Sequence, residues 1–173
     1  MVYFEEFRLR DSFVLRIEVI MKKEKKHSYL LAVILFIMYL CLLFYLLFFS
    51  ETYGRTMDSG YRYNIELFKE IKRFWNNRDS LGISSVIINL AGNIVAFAPF
   101  GFFLSMFFRV GRNLFGCVLL SALFSWMVET AQFFLKVGAF DVDDILLNAL
   151  GGLLGWICYF IFWNPFIKEE IGE

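Results

Sequence analysis

Four long apolar stretches, separated by shorter polar segments, dominate the pattern of this chain. The first covers residues 29–49 and carries no charge, and the others cover residues 83–108, 114–135 and 145–163. A helix that crosses the hydrocarbon core of a bilayer needs roughly 20 mostly apolar residues, and each stretch has about that length. The pattern therefore predicts an all-α polytopic membrane protein with four transmembrane helices.

Composition agrees with a chain that faces lipid rather than water. Hydrophobic residues make up 59% of the 173 residues, and 23 residues are phenylalanine, which is more than the core of a soluble domain of this size requires. A formal net charge of zero excludes the strongly basic balance that is typical of nucleic-acid-binding proteins. The three cysteines form no CxxC motif, and the single histidine lies beside lysines. We therefore expect no metal, no cofactor and no nucleic-acid partner.

Positive charges predict the orientation of the four helices. Four lysines directly precede the first apolar stretch, namely Lys22, Lys23, Lys25 and Lys26. Because cytoplasmic segments next to membrane spans are rich in Lys and Arg, we expect residues 1–27 in the cytoplasm. Residues 28–173 then form the membrane domain, whose C-terminus returns to the cytoplasmic side of the bacterial membrane. Met21 begins a basic stretch typical of a translation start, so we interpret residues 1–20 as a product of a misassigned start codon.

The segment between the first two predicted helices, residues 50–82, contains an amphipathic repeat. Its apolar residues recur at roughly helical spacing with basic residues between them, namely Ile65, Phe68, Ile71 and Trp75. The repeat fits an amphipathic helix that lies on the outer membrane face. It fits equally a surface helix that packs over the transmembrane bundle.

Polar residues from three predicted helices gather in the outer half of the membrane in this orientation. On each helix they lie three or four residues apart and so share one face. An ionisable group inside a span costs roughly 2.5–3.5 kcal/mol on insertion scales, so Glu129 is a functional candidate. The alternative is that Glu129 and its polar neighbours only join helices through hydrogen bonds.

Three aspartates precede the fourth predicted helix. Carboxylates at that position accept hydrogen bonds from free backbone N–H groups. Three acids exceed what capping of one helix requires, which favours a site for a cation or a charged ligand. Together with two charged residues after the first span they define a predicted outer polar cluster: Glu51, Arg55, Asn93, Glu129, Gln132, Asp141, Asp143, Asp144 and Asn148.

Small residues predict close packing between helices. Gly151 and Gly155 form a GxxxG pair in the fourth predicted helix, and such a pair lets a neighbouring backbone approach closely. The neighbour is either another span of the same chain or a second copy, so the pattern is compatible with a homo-oligomer. Pro99 and Gly101 are the corresponding packing candidates in the second helix.

Three motifs, in this order and spacing, resemble the VanZ-like family. They are an FxPxG element preceded by asparagine (residues 93–101), an E-x-x-Q element (residues 129–132) and a D-x-D-D-x-x-x-N-x-x-G element (residues 141–151). A weaker similarity covers residues 51–55 and residues 63–69. The chain departs from the family where Ala139 and Phe140 replace an arginine that commonly precedes the acidic element.

The resemblance covers residues 29–163 and implies a membrane protein of the bacterial cell envelope that is associated with lowered sensitivity to teicoplanin-type glycopeptide antibiotics. It implies no established catalytic residue. We interpret the outer polar cluster as a noncatalytic site for a membrane lipid, a lipid-linked envelope intermediate or a lipophilic glycopeptide. The alternative is a membrane-embedded enzyme that acts on a lipid-linked envelope substrate and uses Glu129 and Asp144 as acid, base or metal-binding carboxylates.

Overall fold

A computed structural model of the chain describes residues 27–49 and 62–163. The chain divides into two compact units, Met1–Cys41 and Leu42–Glu173. The described part of the first unit is the N-terminal portion of helix α1, and all elements from β1 onward belong to the second unit. In chain order, the elements are α1 (His27–Phe49), β1 (Tyr63–Asn64), α2 (Lys69–Asn76), α3 (Arg78–Leu81), α4 (Ile83–Phe107), a 3-10 turn (Val110–Arg112), α5 (Leu114–Leu135), β2 (Phe140–Asp141), α6 (Val142–Cys158) and a π-helical extension (Tyr159–Trp163).

Four of these helices are long and apolar enough to cross a membrane. The spans are His27–Phe49, Val86–Phe107, Leu114–Leu135 and Val142–Trp163. The prediction of an all-α protein with four transmembrane helices is therefore confirmed, and the predicted bounds differ from these spans by at most three residues. Pro99 lies inside α4 without ending it.

The ends of α5 and α6 follow from local capping. The Asn113 side chain accepts a hydrogen bond from the Gly116 backbone N–H at 3.2 Å and starts α5. Lys136, with a left-handed backbone (φ 58°), ends it. The Asp141 side chain accepts a hydrogen bond from the Asp143 N–H at 2.8 Å and starts α6. Asn and Asp are favoured at such positions because their side-chain oxygens satisfy N–H groups that have no partner within the helix.

Glycines bring α4 and α6 into close contact. A Cβ atom built on Gly155 would overlap the backbone of Ala98 in α4, and one built on Gly101 would overlap the backbone of Gly152 in α6. Gly151 likewise lies against the Ile94 carbonyl. The GxxxG pair of α6 therefore packs against α4 of the same chain, which is one of the two partners that the sequence allowed.

A two-residue parallel β-bridge ties the segment before α2 to the segment before α6. Tyr63 pairs with Phe140, and Asn64 pairs with Asp141. The bridge places residues 62–76 at the end of the bundle where α4 begins, α5 ends and α6 begins, hereafter the polar end. α2 itself is shorter than the amphipathic repeat suggested. It turns the half-buried side chains of Ile71 and Phe74 inward and leaves Trp75 exposed.

Candidate functional site

The polar end gathers most of the predicted outer polar cluster. Its buried members are Asn93, Glu129, Gln132, Asp141, Asp143 and Asn148, and Asp144 is half-buried. The N-terminal parts of α4 and α6, which run in the same direction, lie beside the C-terminal part of α5, which runs in the opposite direction. These three helix ends, together with Asp141 directly before α6, supply the residues. Glu51 and Arg55, the two remaining members of the cluster, lie outside the described residues.

Asp141 has two roles at the start of α6. One of its carboxylate oxygens, Oδ1, accepts the Asp143 N–H at 2.8 Å and also accepts the Asn64 side-chain amide at 3.0 Å. Its own backbone N–H donates to Glu129 Oε2 at 3.1 Å. Asp141 therefore caps its own helix and joins the β-bridge to α5.

Asp143 caps a different helix. Its carboxylate accepts hydrogen bonds from the backbone N–H groups of Phe68, Glu70 (2.8 Å) and Ile71 (3.3 Å) at the start of α2. No side chain at the N-cap position of α2 does this, because that position is Phe68, which has a left-handed backbone with φ 66°. Asp143 is 1% exposed. Two of the three aspartates thus satisfy helix N-termini, which reduces the excess of acids that suggested a ligand site.

The deeper polar residues join helices to one another. Gln132 Nε2 donates to the Leu47 carbonyl at 2.7 Å, and Asn148 Nδ2 donates to Ser125 Oγ at 2.8 Å. Glu129 is 1% exposed and accepts the Asp141 N–H. These contacts match the interhelical hydrogen bonding that stood as the alternative to a functional role.

A cavity of about 540 Å³ separates residues 62–74 from the ends of α4 and α6. Residues 62–74 form one side of the cavity, here called the roof, which contributes Arg62 and Arg73. The ends of α4 and α6 form the other side, here called the floor, which contributes Asn89, Asn93 and Asp144. The volume lies within the range of small-molecule sites. The polar end therefore contains an open, charged compartment in addition to its buried hydrogen-bond network.

Two of the charged cavity residues are held by short contacts. Asn93 Nδ2 donates to Asp144 Oδ1 at 2.6 Å, and Arg73 forms an ion pair with Glu70 at 2.6 Å. A charged group that is already oriented loses less side-chain entropy when a ligand binds. Asp144 and Arg73 are consequently preorganised on opposite sides of the cavity.

Asp141 and Asp143 line the floor beside Asp144, so three carboxylates lie on this side of the cavity. Burial raises the pKa of Asp141 from its ordinary value of 3.8, and the nearby charges of Asp143 and Glu70 raise it further. Hydrogen bonds from the Asp143 backbone and the Asn64 side chain act in the opposite direction. The Asp141 carboxyl is therefore harder to ionise than a carboxyl in water, chiefly because it is buried.

Several cavity residues were not among the predicted site residues. These residues are Arg62, Asn64, Glu70 and Arg73. Their position depends on the β-bridge and on the Asp143 cap, both of which join residues more than 70 positions apart. The one usable signal was the weaker family similarity around residues 63–69.

Comparison with known families agrees with the motifs at the polar end. The VanZ/LLP1 family model matches residues 36–163, a range that contains α4, α5, α6 and the cavity-lining residues. No curated protein and no solved structure matches the chain. Because the family match covers well over half of the 173 residues, the chain belongs to the VanZ/LLP1 family.

Proposed function

We propose that this protein works in the bacterial cell envelope by binding the headgroup of a membrane lipid, or the polar part of a lipophilic ligand, in the cavity at its polar end. The observation that carries the proposal is the cavity itself, which has two guanidinium groups and the Glu70 carboxylate on one side and carboxylate and amide groups on the other. It lies at the ends of membrane-length helices, where lipid headgroups are concentrated. Membrane lipids are therefore the natural partners.

We place the polar end in the outer leaflet of the cytoplasmic membrane, with both termini in the cytoplasm. The lysines at positions 22, 23, 25 and 26 support this orientation. Arg109 and Arg112 support it too, since they lie in the connection between α4 and α5, at the end of the bundle opposite to the cavity. In this orientation the cavity faces the leaflet that an extracellular antibiotic meets first.

Binding at this site would lower sensitivity to teicoplanin-type glycopeptides. These antibiotics carry a lipophilic tail and so approach their target at the same membrane surface. The resemblance to VanZ-like proteins, a group associated with reduced teicoplanin sensitivity, supports this part of the proposal. No catalytic step is required, because altered access of the drug to its target suffices.

The first test is direct binding to the purified protein in detergent. A short-chain phospholipid with a fluorescent acyl chain is titrated into the wild type, Arg62→Gln and Lys72→Gln. Arg62 lines the cavity, whereas Lys72 is an exposed cation of α2 that does not. We expect saturable binding that is weakened by the first substitution and not by the second. Equal binding to all three proteins would contradict a site in the cavity.

The second test is antibiotic susceptibility. The same three proteins are expressed at matched membrane levels in a sensitive bacterium, and growth is measured with teicoplanin and with vancomycin. Selective teicoplanin protection by the wild type and Lys72→Gln, but not by Arg62→Gln, supports the resistance role. Lipid binding without any protection would refute that role and leave the lipid site in place.

A further inference from the structure

The two sides of the cavity carry opposite charge. The roof, residues 62–74, supplies Arg62 and Arg73, and it also contains Glu70, which is ion-paired with Arg73. The floor supplies Asp144 at the start of α6. Guanidinium groups bind phosphate oxygens through paired, charge-assisted hydrogen bonds. Carboxylate and amide oxygens accept hydrogen bonds from N–H or O–H donors. A ligand that contacts both sides therefore needs an anionic part and a donor part.

The charge balance of the lining decides the nature of the donor part. The two guanidinium groups face four carboxylates, Glu70, Asp141, Asp143 and Asp144, so the formal net charge of the lining is −2. A purely anionic headgroup would be attracted by the arginines and repelled by the larger number of carboxylates. A headgroup that adds a positive charge beside its phosphate would be favoured on both sides.

The form of the cation follows from the residues of the floor. Among the described residues, no group of three or more His, Cys, Asp or Glu side chains could hold a metal ion, so an organic cation fits better than a divalent metal. Quaternary ammonium groups are recognised by aromatic faces. Two aromatic residues, Tyr63 and Phe74, line the cavity from the roof. The floor residues from α4 and α6 include Asn89, Asn93 and Asp144, whose side-chain oxygens accept hydrogen bonds from N–H donors.

We infer that the cavity selects a headgroup in which a phosphate is joined to a primary ammonium, with the phosphate at Arg62 and Arg73 and the ammonium at Asp144 and Asn93. Phosphatidylethanolamine and aminoacylated phosphatidylglycerol are membrane lipids that carry this chemistry without a further carboxylate. The inference rests on the proposed function, because it names the ligand class of the same cavity. It adds a ranking of lipids that the proposed function does not contain.

The test is competition against the fluorescent short-chain phospholipid on the purified wild-type protein. The competitors are matched short-chain forms of phosphatidylethanolamine, lysyl-phosphatidylglycerol, phosphatidylglycerol and phosphatidylcholine. We expect at least one of the two amine lipids to bind about tenfold more tightly than phosphatidylglycerol and phosphatidylcholine, equivalent to about 1.4 kcal/mol. Whichever amine lipid competes better identifies the source of the headgroup.

Substitutions then test which side of the cavity binds the ammonium and which side binds the phosphate. Asp144→Asn should remove the preference for amine lipids, and Arg62→Gln should weaken all four phospholipids. Asp79→Asn is the control, because the Asp79 side chain is 90% exposed and Asp79 does not line the cavity. The lipid ranking on the wild type needs no substitution, so it remains decisive if a variant fails to fold.

Three results would overturn the inference. If phosphatidylglycerol binds as tightly as the amine lipids, the cavity does not recognise a positive charge. Phosphatidylcholine binding as tightly would show that it does not need N–H donors. Both results would leave lipid binding intact, whereas the absence of saturable binding for every lipid would refute the proposed function as well.

Discussion

Replacing Asp143 with alanine tests whether this carboxylate holds the roof over the cavity. In the native protein it accepts three backbone hydrogen bonds from the start of α2, donated by Phe68, Glu70 and Ile71. Alanine leaves these N–H groups without their acceptor. It also removes the support for the left-handed backbone of Phe68, a conformation that costs about 1–3 kcal/mol and persists only where surrounding structure holds it.

The expected cost follows from the capping interaction. Loss of an N-cap side chain destabilises a helix by about 0.5–2 kcal/mol, and loss of a carboxylate at a helix N-terminus adds about 0.3–1 kcal/mol. The sum is about 1–3 kcal/mol, or roughly 5- to 150-fold in the equilibrium for local opening. α2 has eight residues, and a helix of that length is marginal without tertiary contacts. Residues 62–76 should therefore open while α4, α5 and α6 stay folded.

Hydrogen–deuterium exchange followed by mass spectrometry measures this opening in the purified protein. Peptides covering residues 62–76 should exchange faster in Asp143→Ala by the factor given above, and peptides from α5 should not change. Asp143→Asn should fall between the wild type and alanine, because it keeps an acceptor oxygen and loses the charge. Asp79→Asn, at an exposed acid of α3, serves as the control. Unchanged exchange in residues 62–76, or an equal increase in every helix, would refute the capping role.

Substitutions at three further positions probe packing, protonation and the buried acid. Gly155→Leu should destabilise the bundle by roughly 1–3 kcal/mol or more, the usual cost of overpacking, because the new Cβ meets the α4 backbone. Thermal unfolding measures this, with Leu154→Ala as the exposed control. An unchanged Tm for Gly155→Leu would contradict the close packing. Asp141 has a raised pKa in the folded state, so between pH 3.8 and the raised value the folded protein binds more protons than the unfolded protein. Stability should therefore fall as the pH rises through this range. Asp141→Asn should flatten that part of a Tm–pH curve, and a slope equal to that of the wild type would refute the assignment. Glu129→Gln should keep an acceptor for the Asp141 N–H and retain teicoplanin protection. Glu129→Leu removes that acceptor and should lower stability by about 1–3 kcal/mol. Loss of protection in a stable Glu129→Gln protein would favour the enzymatic alternative.

The transmembrane helices could be predicted because their signal is local. Apolar length alone identifies a span, and antiparallel connections place Asn93, Glu129 and Asn148 at the same end without knowledge of side-chain contacts. The helix bounds were correct to within a few residues for the same reason. Glycine spacing likewise indicated close packing, although it could not distinguish α4 from a second copy of the chain.

The roof and its cavity could not be predicted because they depend on distant pairings. A two-residue bridge such as Tyr63–Asn64 with Phe140–Asp141 has no periodicity that a sequence reveals. The partner of Asp143 lies more than 70 residues away, so three clustered acids were interpreted as an excess beyond capping. Arg62 and Arg73 become cavity residues only once the roof is in place.

The three aspartates before and within the first turn of α6 have separable roles, and this separation gives the last prediction. Successive residues on a helix point about 100° apart, so Asp143 and Asp144 contact different neighbours: Asp143 holds the roof, and Asp144 lines the cavity beside Asn93. If a ligand binds only when the roof is closed, the apparent affinity is proportional to the fraction of protein with a closed roof. Opening of the roof then lowers the affinity for every lipid by the same factor. Asp143→Ala should therefore weaken all the phospholipids, and it should change their ranking less than Asp144→Asn does, because the Asp143 carboxylate is occupied by the backbone of α2. Asp144→Asn should change the ranking while exchange in residues 62–76 stays at the wild-type rate. A change of ranking in Asp143→Ala as large as that in Asp144→Asn would show instead that the cap also contacts the ligand, and that the roof and the recognition site are one structure.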